Sequence, residues 1–305
     1  MRLDVRKQAS TGLYIDEHRR IIQGEAALPL IVNRNEERFF EAGKGIVCVD
    51  EKRWEEAQRY ERLTWTRDGR FAADDRNEYH LKNFANYVAI RDRHFSNGIE
   101  LGCGPFTNFR LILQTCQVDN VSLLDPLIPS YLSHPFCAYP KSKIGGVLRP
   151  SLLLRDLRYP STFLRNRRNV FQVGGWFGRT VSLFPVTIED FLTTAKFDLV
   201  IMINVLEHCR DANAVLGQIL RLLLPGGTFI FADVAWDSDD VQRTVPISYD
   251  AGHPLRISSS FINEFLESNF TTQMSRERDR ETNAGGVQIH KRELYYIGTR
   301  TIPLS

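Results

Sequence analysis

Paired cysteines, long apolar runs and a dominant sign of charge are all missing from this 305-residue chain. Its five cysteines (Cys48, Cys103, Cys116, Cys137, Cys209) are odd in number and show neither Cys-x-x-Cys nor a Cys/His zinc spacing. A disulfide framework and a structural zinc site are therefore not expected, and a reducing cytoplasm fits best. The apolar stretches 197–206 and 222–234 are broken by Asp198, Asn204 or Pro225-Gly226-Gly227, well short of the roughly 20 residues that span a bilayer. The N-terminal Met-Arg-Leu-Asp-Val-Arg-Lys-Gln lacks the apolar segment and small-residue cleavage site of a secretory signal. With 39 Lys+Arg against 37 Asp+Glu, bulk charge does not mark a polyanion binder. At 43% hydrophobic and 25% charged residues, the composition is that of an ordinary globular protein, which excludes disordered and collagen-like classes.

Residues 1–75 read as a partly helical extension. Short apolar stretches at 26–32 and 45–49 precede helix-forming sequence at 51–60, where Trp54 and Ala57 share a face. A second helix is expected over 77–91, with His80, Phe84 and Tyr87 recurring on one face as a packing stripe. From residue 76 to 305 the pattern is that of one α/β domain. Short buried strands are expected at 98–101, 121–124, 180–184, 197–203 and 228–232. Helices at 107–114, 129–139 and 213–223 separate them, the last stopped by Pro225-Gly226-Gly227. Such alternation argues for a parallel sheet. A further helix at 258–268 and a last strand at 293–300 close the chain.

The strongest local signal is Glu100-Leu-Gly102-Cys-Gly104-Pro-Phe106-Thr107, a strand ending in a glycine turn that opens a helix. Such a turn brings backbone close to a ligand and aims free N–H groups at it. It is a poor dinucleotide fingerprint, because Thr107 occupies the third glycine site of G-x-G-x-x-G. The second signal is Asp125, which follows the strand Val121-Ser-Leu-Leu, 21 residues after Gly104. A carboxylate at that strand tip can accept hydrogen bonds from a ribose diol.

With Glu100-x-Gly102-x-Gly104, Asp125, the block Phe197-Asp-Leu-Val-Ile-Met-Ile-Asn204-Val-Leu-Glu207-His208 and the turn Leu222-Leu-Leu-Pro225-Gly226-Gly227-Thr-Phe, the sequence resembles the class I S-adenosylmethionine-dependent methyltransferases over about residues 95–235. The resemblance implies a Rossmann-like seven-stranded sheet with helices on both faces and a last strand antiparallel to the rest. It also implies a cofactor site. Glu100 belongs to its motif, Gly102 and Gly104 would lie against the amino-acid and ribose parts, and Asp125 would bind the ribose hydroxyls. Ile188 and Glu189 would flank the adenine, and Asn204 would sit beneath the methionine moiety. Phe106 departs from the glycine that many members carry there. More loosely, the 51–60 helix with Trp65 resembles N-terminal extensions of bacterial methyltransferases acting on small molecules or glycans. That implies a cap, with Tyr79, His80 and Tyr87 as wall residues.

Some O-methyltransferases with a Glu-x-x-Glu-His arrangement bind a divalent metal there, but Asn204 replaces the first Glu. No metal site is therefore expected, and Glu207 and His208 read as the opening of the helix after the fourth strand, hydrogen-bonded to its first turn. Residues 141–179 carry a net +8, leaving −6 for the remainder. Recognition of a phosphate or carboxylate on the acceptor, nucleic-acid binding and a solvated face are the three readings of this basic insert. Nucleic acid is disfavoured, because the insert's aromatics form no stacking motif. The expected activity is methyl transfer to oxygen or nitrogen of a small-molecule or sugar-type acceptor, the alternative being a catalytically silent cofactor-binding protein. Where a proton must be removed, the candidates are His253, in a loop after the fifth strand, and His80, because an unperturbed histidine suits a base near neutral pH.

Overall fold

The computed structural model describes residues 6–8, 13–15, 21–23, 36–66, 77–132, 137, 139, 180–246, 248–284 and 287–302. Three short antiparallel strands, β1 (Arg6–Gln8), β2 (Leu13–Ile15) and β3 (Ile21–Gln23), form a small sheet of their own. Next come β4 (Phe40–Glu41), β5 (Gly45–Ile46) and α1 (Glu51–Thr66), followed by α2 (Asn77–Asn83). The main domain then runs β6 (His94–Leu101), α3 (Phe109–Ile112), β7 (Gln117–Leu124), α4 (Ile128–Tyr131), β8 (Thr180–Phe184) and β9 (Phe197–Ile203). It continues with α5 (Ala212–Leu222), β10 (Leu223–Trp236), α6 (Ser238–Thr244), β11 (Arg256–Ile257), α7 (Ser259–Asn269), β12 (Phe270–Ala284) and β13 (Val287–Arg300).

Seven strands make the central sheet in the order β12-β13-β10-β9-β6-β7-β8. The five from β10 to β8 are parallel neighbours, and β13 alone runs against them, antiparallel to both β10 and β12. The expected sheet, with its reversed last strand, is therefore present. Alternate residues of the central strands are buried in opposite directions, as the pleat requires. Val200, Met202, Phe229 and Phe231 enter one apolar cluster with the buried face of α5, while Leu199, Ile201, Ile203 and Ile230 enter another with Phe84, Phe109 and Ile112. Burial on both faces explains why Phe197–Ile203 reads as an almost unbroken apolar run. The strand order reverses between β6 and β9, and their carboxyl ends open the crevice where ligands bind in such sheets.

Several expectations need correction. The helix expected over 77–91 is two pieces: α2 ends at Asn83, and a 3-10 segment, Ala85–Ile90, carries left-handed backbone at Ala85, Asn86 and Tyr87. The break lets the Phe84 and Tyr87 rings stack at 4.9 Å in the core, with Tyr295 edge-on to Phe84 at 5.1 Å. The first helix is longer than its sequence pattern, reaching Thr66. Pro225-Gly226-Gly227 does not separate helix from strand but lies inside β10, as an irregularity in its pairing with β9. The helix expected over 129–139 is described only as Ile128–Tyr131, and the basic stretch 141–179 lies outside the described residues. No described helix is long and apolar enough to cross a membrane.

A buried ion cluster joins the lead segment to the main domain. Glu36 accepts from Arg53 Nε at 2.6 Å and from Arg256 Nη2 at 3.4 Å, and all three side chains are no more than 4% exposed. Arg53, on α1, also donates to the carbonyls of Asp250, Ala251 and His253, so it clamps the 250–253 loop. Removing one partner of a buried charge pair leaves the other charge unpaired away from water. Replacing Glu36 by Gln is expected to lower stability by about 3–5 kcal/mol in urea unfolding; a loss below about 1 kcal/mol would show that the two arginines are satisfied without it.

Candidate active site

The turn after β6 is held from three sides. Gly102 N and Cys103 N both donate to Leu124 O, at 2.8 and 3.1 Å, which pins the turn to the end of β7. Glu100 is fully buried and accepts from the Thr107 hydroxyl, from Asn108 N (2.8 Å) and from Asn108 Nδ2 (3.0 Å). Its carboxylate therefore ties down the start of α3. Burial raises the Glu100 pKa, and these hydrogen bonds work against that rise. Glu100, which the resemblance implies among the cofactor residues, does not line the cleft; it positions the turn that does. On the third side Tyr139, buried, donates its hydroxyl to Gly104 O at 2.8 Å.

Gly102 and Gly104 have left-handed backbone, φ +66° and +51°. A Cβ at Gly102 would fall 2.4 Å from Val205 Cγ1, whereas one at Gly104 would meet nothing within 4 Å. The first glycine is thus required by packing against the β9 turn, and the second leaves the cleft floor bare. Phe106, the departure from the family pattern, is 7% exposed and sits edge-on to Trp65 of α1 at 5.8 Å.

Asp125 follows β7, facing the glycine turn. Its Oδ2 accepts from Gly104 N at 3.1 Å and its Oδ1 from Leu127 N at 2.8 Å. Burial pushes its pKa up to about 6, against the lowering effect of those two backbone donors. The third wall is the turn after β9. Asn204 has φ +62° and donates its N–H to Ala232 O at 2.7 Å, and the N–H groups of Val205 and Leu206 converge on Asp233 Oδ2 at 3.1 and 2.7 Å. Asp233 was not anticipated from the sequence, yet it fixes this turn. Ile188 is 3% exposed and lines the cleft beside Glu189. The Glu189 carboxylate itself accepts from Arg210 N at 2.9 Å and so braces the loop before α5.

These walls enclose an open cleft of about 970 Å³, its solvent-filled mouth included. Trp54, Gln58, Glu61 and Trp65, spaced along one face of α1, line its far side together with His80 and His208. Of the expected wall residues only His80 is there. Tyr87 is fully buried under Phe84, and the Tyr79 hydroxyl donates to Glu293 instead. The cleft fits an adenosyl cofactor: it offers a bare glycine floor, an apolar side at Ile188 and an acceptor carboxylate at Asp125.

Glu207 and His208 lie in a short 3-10 turn, Leu206–His208, directly after β9, and the α-helix expected to begin with them starts later, capped by Asp211 (Ala214 N to Oδ1, 3.1 Å). Their side chains face a cluster. His208 Nδ1 lies 3.0 Å from Gly252 O and 3.8 Å from Glu61 Oε1; Glu207 Oε1 lies 4.0 Å from His208 Nε2 and 3.6 Å from His253 Nε2. His253 Nδ1 is 2.9 Å from Asp250 Oδ2, and the two imidazole rings are 4.7 Å apart. Burial works to lower the His253 pKa, but the Asp250 and Glu207 carboxylates outweigh it and push the value up to about 10. The reading of His253 as an unperturbed base is therefore corrected, since at neutral pH the proton occupies the lone pair a base would use. It does not line the cleft either, but stands behind His208. His80 does line it, 7% exposed, with its ring 6.3 Å from that of Tyr295.

A family profile described as a methyltransferase domain matches residues 65–273, more than half of the chain. The chain belongs to this family. The resemblance to class I S-adenosylmethionine-dependent methyltransferases is thereby borne out, and with it enzyme class and cofactor. No relative among curated proteins matches. Among solved structures, the N-methyltransferase NodS of Bradyrhizobium japonicum WM9, in complex with S-adenosyl-L-homocysteine, is 15% identical; the match covers 81% of this chain and 99% of NodS, with a TM-score of 0.44. The 1,6-didemethyltoxoflavin-N1-methyltransferase of Burkholderia thailandensis is 16% identical, covering 87% of this chain and 98% of that one at a TM-score of 0.44. At these values neither carries an argument about the acceptor.

The two glycines of the methyltransferase turn should respond differently to one added methyl. Gly102→Ala must displace Val205 and is expected to lower the melting temperature and weaken S-adenosylhomocysteine binding together, at a cost of about 1–3 kcal/mol in stability. Gly104→Ala bears only the left-handed backbone penalty of about 1–2 kcal/mol and places its methyl at the cleft floor, so binding should suffer more than folding. Thermal melts and calorimetry on the two variants check this; equal effects would show that the two glycines serve the same purpose.

Proposed function

We propose that the enzyme transfers the methyl group of S-adenosylmethionine to an oxygen or nitrogen of a small-molecule or sugar-type acceptor lying between the glycine turn and α1. The observation that carries this is Asp125, whose carboxylate is braced by Gly104 N and Leu127 N at the mouth of the β6–β9 crevice. Each of its oxygens keeps a lone pair for a ribose hydroxyl. Gly102, Gly104 and Asn204 would hold the amino-acid end of the cofactor, with Ile188 and Glu189 beside the adenine. When bound, the cofactor supplies an electrophilic methyl on a sulfonium sulfur. The chain's own part is orientation and exclusion of water, which can account for several kcal/mol of the barrier. Trp54, Gln58 and Trp65 make α1 the cap over the acceptor, within an N-terminal unit read as residues 1–75.

The expectation of an acidic acceptor rests on 141–179. Among the described residues lining the cleft there are Glu61, Asp125 and Glu189 and no Lys or Arg, so this wall favours a neutral or cationic acceptor. It also offers a nucleic-acid backbone none of the cationic contacts such binding requires. Of the two histidines expected to remove a proton, His80 is the one that lines the cleft.

Calorimetry with S-adenosylmethionine and its demethylated product tests the reading. Asp125→Ala is expected to weaken binding by about 1–3 kcal/mol, the cost of unpaired hydrogen-bonding groups. The ribose diol prefers the ionised carboxylate, so affinity should be full well above pH 6 and decline as pH falls through about 6, where Asp125 takes its proton. Asp125→Asn should flatten that profile. Absence of binding by the wild-type chain would overturn the proposal; binding with no transfer to any hydroxyl or amine acceptor would leave a silent cofactor-binding protein.

A further inference from the structure

Glu61, His208 and His253 each present one ligand atom within 4.8 Å of the others, although they come from α1, the β9 turn and the loop before β11. Glu207 adds a carboxylate oxygen 3.6 Å from His253 Nε2 and 4.0 Å from His208 Nε2. Ligand atoms around a tetrahedral zinc ion, at about 2.0–2.1 Å from it, lie roughly 3.3–3.4 Å from one another. The Glu207–His253 pair is within a few tenths of an ångström of that spacing, while the Glu207–His208 pair at 4.0 Å and Glu61, within 4.8 Å of the histidines, would draw in around a shared cation.

The outer contacts point the same way. A carbonyl oxygen only accepts, so the contact of His208 Nδ1 with Gly252 O (3.0 Å) puts the ring proton on Nδ1 and leaves Nε2 as the lone-pair nitrogen. His253 repeats the arrangement with a carboxylate, Nδ1 to Asp250 Oδ2 at 2.9 Å. Histidines that ligate metals are held in this way, by a carbonyl or carboxylate on the nitrogen away from the metal. Glu61 has its own brace, accepting from Trp65 Nε1 at 2.9 Å. The neighbouring cations are engaged elsewhere: Arg53 on Glu36 and the loop carbonyls, Lys291 over the Trp236 ring at 3.9 Å.

We propose that Glu61, Glu207, His208 and His253 bind one divalent first-row metal ion at the acceptor side of the cleft. Two imidazoles and two carboxylates suit Mn²⁺, Co²⁺ or Zn²⁺ better than Mg²⁺ or Ca²⁺, which prefer all-oxygen sites. The sequence expectation of no metal site looked for a carboxylate at position 204; here Glu61 and His253, distant in sequence, take its place. Glu61 and His208 also line the cleft, so the bound cation borders the acceptor space. Resting on the methyltransferase reading, this narrows the acceptor atom to oxygen, since a hydroxyl is the group such a cation would orient and acidify.

The test titrates the chelator-stripped full chain into Mn²⁺, following the free-ion EPR signal, and separately records the visible spectrum with Co²⁺. The expected result is about one equivalent bound, a Co²⁺ spectrum without thiolate charge-transfer bands, and an affinity lowered tenfold or more in His253→Ala and Glu207→Gln. If His253→Ala does not fold, Glu61→Gln reports on the same site. S-adenosylhomocysteine binding is measured in parallel. Cofactor binding without metal binding overturns this inference alone, whereas loss of both overturns the function as well. Absence of Mn²⁺ and Co²⁺ binding at millimolar concentrations, or binding unchanged in the variants, overturns the site.

Discussion

Glu36 sits between two guanidinium groups, 2.6 Å from Arg53 Nε and 3.4 Å from Arg256 Nη2, in a region closed to water. Charges in such a place are tolerated only as a set, because each pairs at close range in a low dielectric. Much of the acceptor side depends on that set. Arg53 belongs to α1, whose residues Trp54, Glu61 and Trp65 face the cleft; Arg256 belongs to β11; and the loop between Ser248 and His253 is hydrogen-bonded by both arginines. A segment outside the central sheet is in this way held in fixed relation to the strand ends. Hydrophobic contact alone would place α1 against the domain, but it would not specify which of its turns faces Gly252 and His208.

The cofactor side is built on another constraint, the left-handed backbone at Gly102, Gly104 and Asn204. Each occurs where a parallel strand must turn sharply enough to leave its N–H groups and carbonyls at the crevice. Side-chain carboxylates then stabilise the turns: Glu100 below the first, Asp233 below the second. Both acids are buried, and burial raises the pKa of each, with Glu207 adding to the rise at Asp233. They remain in place because several backbone and side-chain donors meet each carboxylate, which is how a buried acid avoids an unmatched desolvation penalty.

The cofactor half was legible in the sequence because its chemistry is local. Glu100, Gly102 and Gly104 are contiguous, Asp125 lies at a fixed chain distance, and the strand Phe197–Ile203 is apolar on both faces. The hairpin of β12 and β13 was not, since residues 271–281 are mainly polar and charged and their order comes from the backbone ladder with β13 rather than from a buried face. Nor was the break after Asn83, where stacking of Phe84 on Tyr87 overrides a helical pattern. Helical spacing correctly made Phe84 and Tyr87 core residues, and it failed only on the backbone that delivers them. The acceptor side was least legible of all. Glu61, His208 and His253 are separated by 147 and 45 positions, and no periodicity links them.

Charge explains why that acceptor side is chemically distinct. Carboxylates of Glu61, Glu207 and Asp250 surround two imidazoles, and negative charges this close repel one another unless positive charge lies among them. The protein supplies one such charge by protonating His253. A divalent cation would supply two, and it needs the nitrogen lone pair that the proton occupies, so the two solutions exclude each other. The Nδ1 contact of His253 with Asp250 is common to both, so the loop keeps its place, and with the proton alone the wall is a passive surface. The proposed metal would turn Glu61, Glu207, His208 and His253 into a Lewis-acid centre beside the cleft. Since Arg53 fixes the loop carbonyls in either case, the choice changes the chemistry of the site without moving the fold around it.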